Sequence, residues 1–181
     1  MGERENHRLD FELPNVGRGS ETVQSCELLG DGDSLLVVLL GSHYCSRSRK
    51  LVRALSERHD AFSRRATTVV PVLPDIRERA RLWDRQYGLP FPMLVDPKPD
   101  GERETTSRGG ADGFGAFGPL QESVESLPAV ALCRGDDGGL SVVATETEAT
   151  LDVPVVESLL GFVDRHRPAD PRPADDAAVD S

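Results

Sequence analysis

Cysteine is scarce in this chain: Cys26, Cys45 and Cys133 are the three among 181 residues. So few, and odd in number, they exclude the disulfide framework of a small secreted domain and suit a reducing compartment with at least one free thiol. Long apolar runs are also missing. The longest, "LLVVLLG" at residues 35 to 41, falls far short of the roughly 18 to 20 residues needed to cross a bilayer. The N-terminal "MGERENHRLD" is charged where a secretory signal is apolar, so the expected location is cytoplasmic, with no membrane partner. Positive charge is outweighed: 21 basic residues, of which only Lys50 and Lys98 are lysines, face 31 acidic ones for a formal charge of -10. That balance excludes a broad attraction to phosphate backbones, so no nucleic acid partner is expected. Phosphate-cradling motifs are absent too: there is no G-x-x-x-x-G-K-[ST], no G-x-G-x-x-G after a strand, and "GGADGFGAFG" follows no strong strand. His7, His43, His59 and His166 are scattered without metal-ligand spacing, and neither a metal nor a bound cofactor is expected.

What is present is the profile of one soluble domain, 38% apolar and 29% charged, on a chain long enough to bury a core without staples. "DSLLVVLLG" reads as a strand buried on both faces and therefore central in a sheet. After Cys45, Leu51, Val52, Leu55 and Phe62 recur at helical spacing, with Arg49, Arg53, Glu57 and Arg64 for the wet face; this predicts one helix of about four or five turns. "ATTVVPVL" is a second strand whose Pro71 marks a bulge or an edge. "PDIRERARLWDRQYGLP" has Asp75 as N-cap with Glu78 three residues on, and Gly88 and Pro90 past the end. Its Ile76, Ala80, Trp83 and Tyr87 share one face, which is core before it is a ligand platform. "FPMLVDP" is a short third strand, so the order is strand, helix, strand, helix, strand, the pattern of right-handed crossovers over a parallel sheet.

Residues 97 to 126 are rich in glycine and charge with few apolar anchors, and read as a mobile insertion with room for one helical turn. "LPAVALCR", "GDDGG" and "LSVVATETEA" form a hairpin pattern, and "DVPVVESLLGFVDRHR" a closing helix with Val156, Leu159, Leu160 and Val163 inward. The expected organisation is a flexible N-terminus at 1–8, an α/β domain at 9–167 and a disordered acidic tail at 168–181. Its sheet is mixed, flanked by helices, with the Gly-rich insertion ahead of a C-terminal β-β-α unit.

In "GSHYCSRSRK", Cys45 directly follows the first long strand and opens a helix. A thiol in a first helical turn meets unpaired N–H groups and the positive helix end, which favour thiolate over thiol. His43, Arg47, Arg49 and Lys50 add positive charge, enough to draw a cysteine from about 8.5 toward neutrality. The plain alternative is that Cys45 only fills space. His43 is open between a base, a source of positive potential and an ordinary loop residue. Cys26 and Cys133 are by default buried and inert. A resolving role for either requires alpha carbons within about 7 Å.

A β-α-β-α-β half and a β-β-α half, with a cysteine at the first strand-to-helix junction, resemble the thioredoxin-like fold. "YGLPFPMLVDP" at residues 87 to 97 is similar to the helix-to-strand turn of peroxiredoxins of the alkyl hydroperoxide reductase/thiol-specific antioxidant family, and "LLVVLLGSHYCSRSRKLVRALSERHDAF" to the peroxidatic strand and helix of their thioredoxin-like relatives. The resemblance implies Cys45 as the reactive thiol and Ser42 as the hydroxyl that helps hold a peroxide. It puts Ser48 where the second cysteine of a C-x-x-C pair would stand, and Pro128 at the cis-proline that faces the active cysteine. Two family positions are changed: Val38 replaces a proline, and Ser126 and Leu127 occupy the neighbourhood of the peroxide-binding arginine, for which Arg47 or Arg49 are the nearest substitutes. The implied activity is antioxidant: hydroperoxide reduction through Cys45, recycled by an external thiol or a thioredoxin-like donor. The alternatives are a C-x-x-S monothiol oxidoreductase acting on disulfides, and a degenerate binding or redox-sensing module. A homodimer is a possible assembly.

Overall fold

In the computed structural model, residues 8–28, 34–41, 46–74, 77–96, 116–124, 127–136, 139–147 and 155–166 are described. Strand β4 (Ser34–Leu39) is the apolar run, and Leu35 through Leu40 are at most 1% exposed. It is buried on all sides because it pairs in parallel with β5 (Thr67–Leu73) and antiparallel with β7 (Ala129–Asp136). With β6 (Leu94–Val95), β8 (Gly139–Thr147) and β1 (Arg8–Leu9), they form a six-stranded sheet in the order β1-β8-β7-β4-β5-β6. The strand order β4, β5, β6 advances in one direction, so both crossovers lie on one face, as right-handed connections require.

The two-residue alternation of β4 divides the core. Leu36, Val38 and Leu40 face α1 (Ser46–Glu57), α2 (His59–Ser63), α3 (Arg77–Tyr87) and α5 (Val155–Arg165), whose buried side chains include Val52, Leu55, Phe62, Trp83, Leu159 and Phe162. Leu35, Val37 and Leu39 face the β2 (Glu12–Pro14) and β3 (Thr22–Gln24) ribbon and α4 (Gly118–Glu122). Full burial of Val52 or Leu55 contributes roughly 1.5–3 kcal/mol each. In α5, Val156, Leu159, Leu160 and Val163 are all buried, as their spacing predicts.

Four features differ from the sequence reading or refine it. The helix after Cys45 is two helices that part at Arg58 (φ -111, ψ 22). Continued α-periodicity from Leu55 would turn Arg58 and His59 inward; after the break Ala61, off that face, is buried beside Phe62 instead. Pro71 sits inside a buried strand without cost to the ladder. Val72 O accepts from Leu40 N on β4 and Leu73 O from Asp96 N on the other side, so position 71 faces the side of β6, one residue before that pairing begins at Val72. The missing N–H of proline therefore removes no ladder bond. The insertion expected over 97–126 is narrower at its C-terminal end, because Phe117 and Leu120 are each 1% exposed and belong to the core; residues 97–115 lie outside the described residues. Cys26, in a segment open between strand and loop, falls in a single 3-10 turn, Ser25–Glu27. Helix α3 ends as its punctuation predicts: Gly88 has φ +56 and its N–H donates to Asp84 O at 2.8 Å. Asp75 and Ile76 lie outside the described residues.

Candidate functional site

The carboxyl ends of β4 and β5, where open parallel sheets usually carry their sites, meet the start of α1. Past Leu39 the chain continues through Leu40, whose N–H donates to Val72 O at 3.0 Å, to Gly41. The described part of α1 begins at Ser46, the residue bonded to Cys45. Ser42, His43, Tyr44 and Cys45 themselves lie outside the described residues.

Ser48 is fully buried, and its hydroxyl accepts the Gly41 N–H at 2.8 Å. The bond spans the junction, tying the last residues of the strand to the first turn of the helix. The residue in the register of a second cysteine is thus a structural pin, and no local dithiol exists to replace it.

Across the sheet, Leu39 is paired with Ala129 at the start of β7. Continuing that antiparallel register sets Pro128 opposite position 40. Pro128 is buried and the Leu127–Pro128 peptide bond is cis. The fold therefore brings together the end of β4, the start of α1 and the cis-proline, which are some 80 residues apart in sequence order.

The field at this junction is positive. The first turn of α1 has no acidic residue, and Arg47, Arg49 and Lys50 occupy its opening turns. Helix starts usually carry Asp or Glu, which complement the macrodipole. Here cations stand in the opening turns instead. Leu127, in the neighbourhood of the family's arginine, is half-buried. The arginine of the same strand, Arg134, is opposite Ser34 at the far end of β4.

Cys133 is fully buried in β7, opposite Leu35. Burial pushes its thiol up to about 12. It stands four positions along the strand from Ala129, about 13 Å at about 3.3 Å per residue, so in the folded state it is too distant from the β4–α1 end of the sheet for the roughly 7 Å that a disulfide tolerates. As a resolving cysteine it would need β7 to detach. Cys26, on the turn after β3, belongs to the ribbon on the face opposite α1. Among the described residues, no cluster of His, Cys, Asp or Glu could hold a metal, and no helix is long and apolar enough to cross a membrane.

Two supporting residues were not foreseen. Asn15, 7% exposed, uses its whole amide: Oδ1 accepts from Gly17 N and Met93 N, both at 2.9 Å, while Nδ2 donates to Arg18 O and Ser20 O. With Val16 N to Met93 O and Arg18 N to Phe91 O, it clamps the N-terminal segment onto the "LPFPML" stretch. Asp96, 2% exposed, accepts Ala116 N at 2.8 Å and Phe117 N at 2.7 Å. It thereby anchors both ends of the excursion between 96 and 116 at one point. An aspartate just past a strand and a polar Asn in "PNVGRG" carry only generic cap and turn signals.

The comparisons agree with this geometry. The chain is similar in structure to the peroxidoxin BcpB from Mycobacterium tuberculosis, with a TM-score of 0.63 at 14% identity over 90% of this chain and 97% of that one. It is also similar to a yeast mitochondrial 1-Cys peroxiredoxin, with a TM-score of 0.64 at 13% identity, covering 90% and 76% of the two chains. A thiol-disulfide isomerase from Corynebacterium glutamicum gives a TM-score of 0.61 at 15% identity, with 93% and 100% covered. At such identities the likeness establishes the thioredoxin-like fold and not the activity. No curated protein matches the chain at a significant level. The model of the AhpC/TSA family matches residues 5–107, a span that holds β1 through β6, the β4–α1 junction and Cys45. The chain is a member of the AhpC/TSA family, with a thioredoxin-like fold suited to thiol redox chemistry.

Proposed function

We propose that this protein reduces hydroperoxides through Cys45 and is recycled by an external thiol. The observation that carries the reading is the cation-rich start of α1, with Arg47, Arg49 and Lys50 and no acidic residue in its first turn, directly after Cys45 of a family-matched segment. Such a field favours the thiolate, the form that reacts. The Cys45 thiolate attacks one peroxide oxygen, forming an S–O bond as the O–O bond breaks. The other oxygen leaves as an alkoxide or hydroxide and takes a proton from solvent, and Cys45 becomes a sulfenic acid. An incoming thiol displaces water to give a mixed disulfide, and a second thiol releases Cys45 and departs as the oxidised disulfide. The absence of a second sulfur at Ser48 and the burial of Cys133 in β7 support recycling by an outside donor. A soluble thiol or a thioredoxin-like protein in a reducing cytoplasm fits this cycle. Ser42 is proposed to donate a hydrogen bond to the bound peroxide, and His43 to add positive potential.

A second reading, monothiol exchange with disulfides, is favoured by one feature: Ser48 in the C-x-x-S register after Cys45. Stopped-flow mixing with hydrogen peroxide and, separately, with a model disulfide distinguishes the two. Peroxide consumption well above that of free cysteine, lost in Cys45→Ser, supports the peroxidase. Peroxide loss at the free-thiol rate with fast disulfide exchange transfers the assignment to the second reading, and slowness toward both leaves a binding module. Mass spectrometry after substoichiometric peroxide checks that Cys45 oxidises before Cys26 and Cys133.

A further inference from the structure

Between α1 and α3 lies a cleft of about 380 Å³ lined by Arg49, Leu82, Trp83, Arg85 and Gln86. Its volume falls in the small-molecule range, equal to about a dozen water-sized groups at roughly 30 Å³ each. Three features of the lining point to one kind of occupant. First, it holds two guanidinium groups, one from each helix, and no acidic residue among the described residues. Arg49 is half-buried and its Nε is sealed from solvent without a hydrogen-bond partner. A buried donor left unpaired is costly, and an acceptor entering the cleft would relieve it. Second, the lining includes Leu82, which at 49% exposure is the large apolar side chain most open to solvent among the described residues, beside Trp83. Third, the surroundings are basic although the chain is acidic: α1 and α3 together carry eight Arg and Lys residues against Glu57, Glu78 and Asp84. Gln86 adds an amide that can donate to a second oxygen.

We infer that the α1–α3 cleft binds a small amphiphilic carboxylate, its acid group between Arg49 and Arg85 and its apolar body against Leu82 and Trp83. A planar carboxylate matches the forked donors of arginine, and the apolar lining selects against inorganic anions. The same chemistry is offered by an aliphatic acid and by a carboxylated low-molecular-weight thiol. The site lies beyond the redox reading: it needs no turnover, so failure of the peroxidase assignment leaves it standing.

Trp83 is the single tryptophan of the chain, so in the folded protein the indole fluorescence comes from a residue that lines the cleft. Titration with ω-bromooctanoate, whose bromine quenches indole on contact, should give saturable quenching. Arg49→Gln and Arg85→Gln should each weaken it by about tenfold or more, the effect of losing a charge-assisted hydrogen bond. Leu82→Asp, an exposed change with little effect on folding, should abolish it by setting a like charge in the cleft. Displacement by glutathione would assign the cleft to a thiol, and displacement by octanoate alone to an aliphatic acid; either supports the site. Quenching that is linear and unsaturable, that neither compound displaces, or that all three variants retain unchanged overturns it.

Discussion

Replacing Ser48 by alanine tests whether the bond from Gly41 N–H to the Ser48 hydroxyl helps hold the β4–α1 junction. The hydroxyl is fully buried and accepts the Gly41 N–H at 2.8 Å. A typical intramolecular hydrogen bond is worth about 0.5–1.5 kcal/mol net, and stranding a buried partner costs about 1–3 kcal/mol. Gly41 is half-buried, so water can partly rehydrate its N–H, which brings the expected loss to about 1–2 kcal/mol. Against a total stability of about 5–15 kcal/mol, this is large enough to resolve in urea unfolding monitored by the single tryptophan. The loss should also be local. Hydrogen exchange at the Gly41 amide should accelerate by about tenfold, since about 1.4 kcal/mol is one decade, while amides of Val69 and Val70 in the central strand keep their protection. Ser48→Cys should lose nearly as much as Ser48→Ala, because sulfur is a weak acceptor, although it restores the register of a dithiol. The reasoning is refuted if Ser48→Ala costs less than about 0.5 kcal/mol, the range of ordinary surface changes, and leaves Gly41 exchange unaltered.

Three further outcomes are expected. Gly17→Ala would place a Cβ at 2.5 Å from Phe91 O and 2.8 Å from Met93 N, both backbone atoms; overpacking of about 1–3 kcal/mol should lower Tm by several degrees at roughly 2–4 °C per kcal/mol, and an unchanged melt would contradict the clamp between the N-terminal segment and residues 91–94. Phe117→Ala removes a ring that is 1% exposed and packed, tilted, with its centroid 4.8 Å from that of Phe11, for an expected loss of about 3–5 kcal/mol; a variant as stable as the parent in urea would show that residues 116–124 are not core. Cys133 links stability to alkaline pH. Its folded thiol, near 12 against an ordinary 9.0, keeps its proton after the unfolded one has lost it, so stability is full below about pH 9 and falls as pH rises toward 12. The ceiling is about 4 kcal/mol at 1.36 kcal/mol per unit. Cys133→Val should therefore lose less stability than the parent between about pH 8 and 10.5; a parent–variant difference that stays constant over that window would remove the thiol from the alkaline transition.

Much of the architecture was legible because its signals are local. β4 is a short Val/Leu run between turn residues, α3 carries its own stop at Gly88, and α5 shows an unbroken apolar stripe at Val156, Leu159, Leu160 and Val163. Periodicity failed where local continuity and tertiary packing disagree. Nothing between Glu57 and His59 announces a helix break, yet Ala61, which lies off the Leu55 stripe, is buried beside Phe62 after one. Phe117 and Leu120 looked like isolated apolar residues in a polar stretch, since the surface they cover belongs to strands far away in the chain.

The same division runs through the candidate site. Sequence alone determined that one cysteine follows the central strand, that its dithiol partner is replaced by Ser48, and that cations crowd the following turns, because each is a matter of residue identity at short spacing. Only tertiary structure decided that Ser48 is buried against Gly41, that Pro128 meets the end of β4, that Asp96 anchors Ala116 and Phe117, and that Cys133 lies at the wrong depth of the sheet. These depend on strand register and on crossovers between segments tens of residues apart, where a shift of one position would turn every side chain to the other face. Such long-range pairing is set by the whole core and leaves little trace in any single window of the chain.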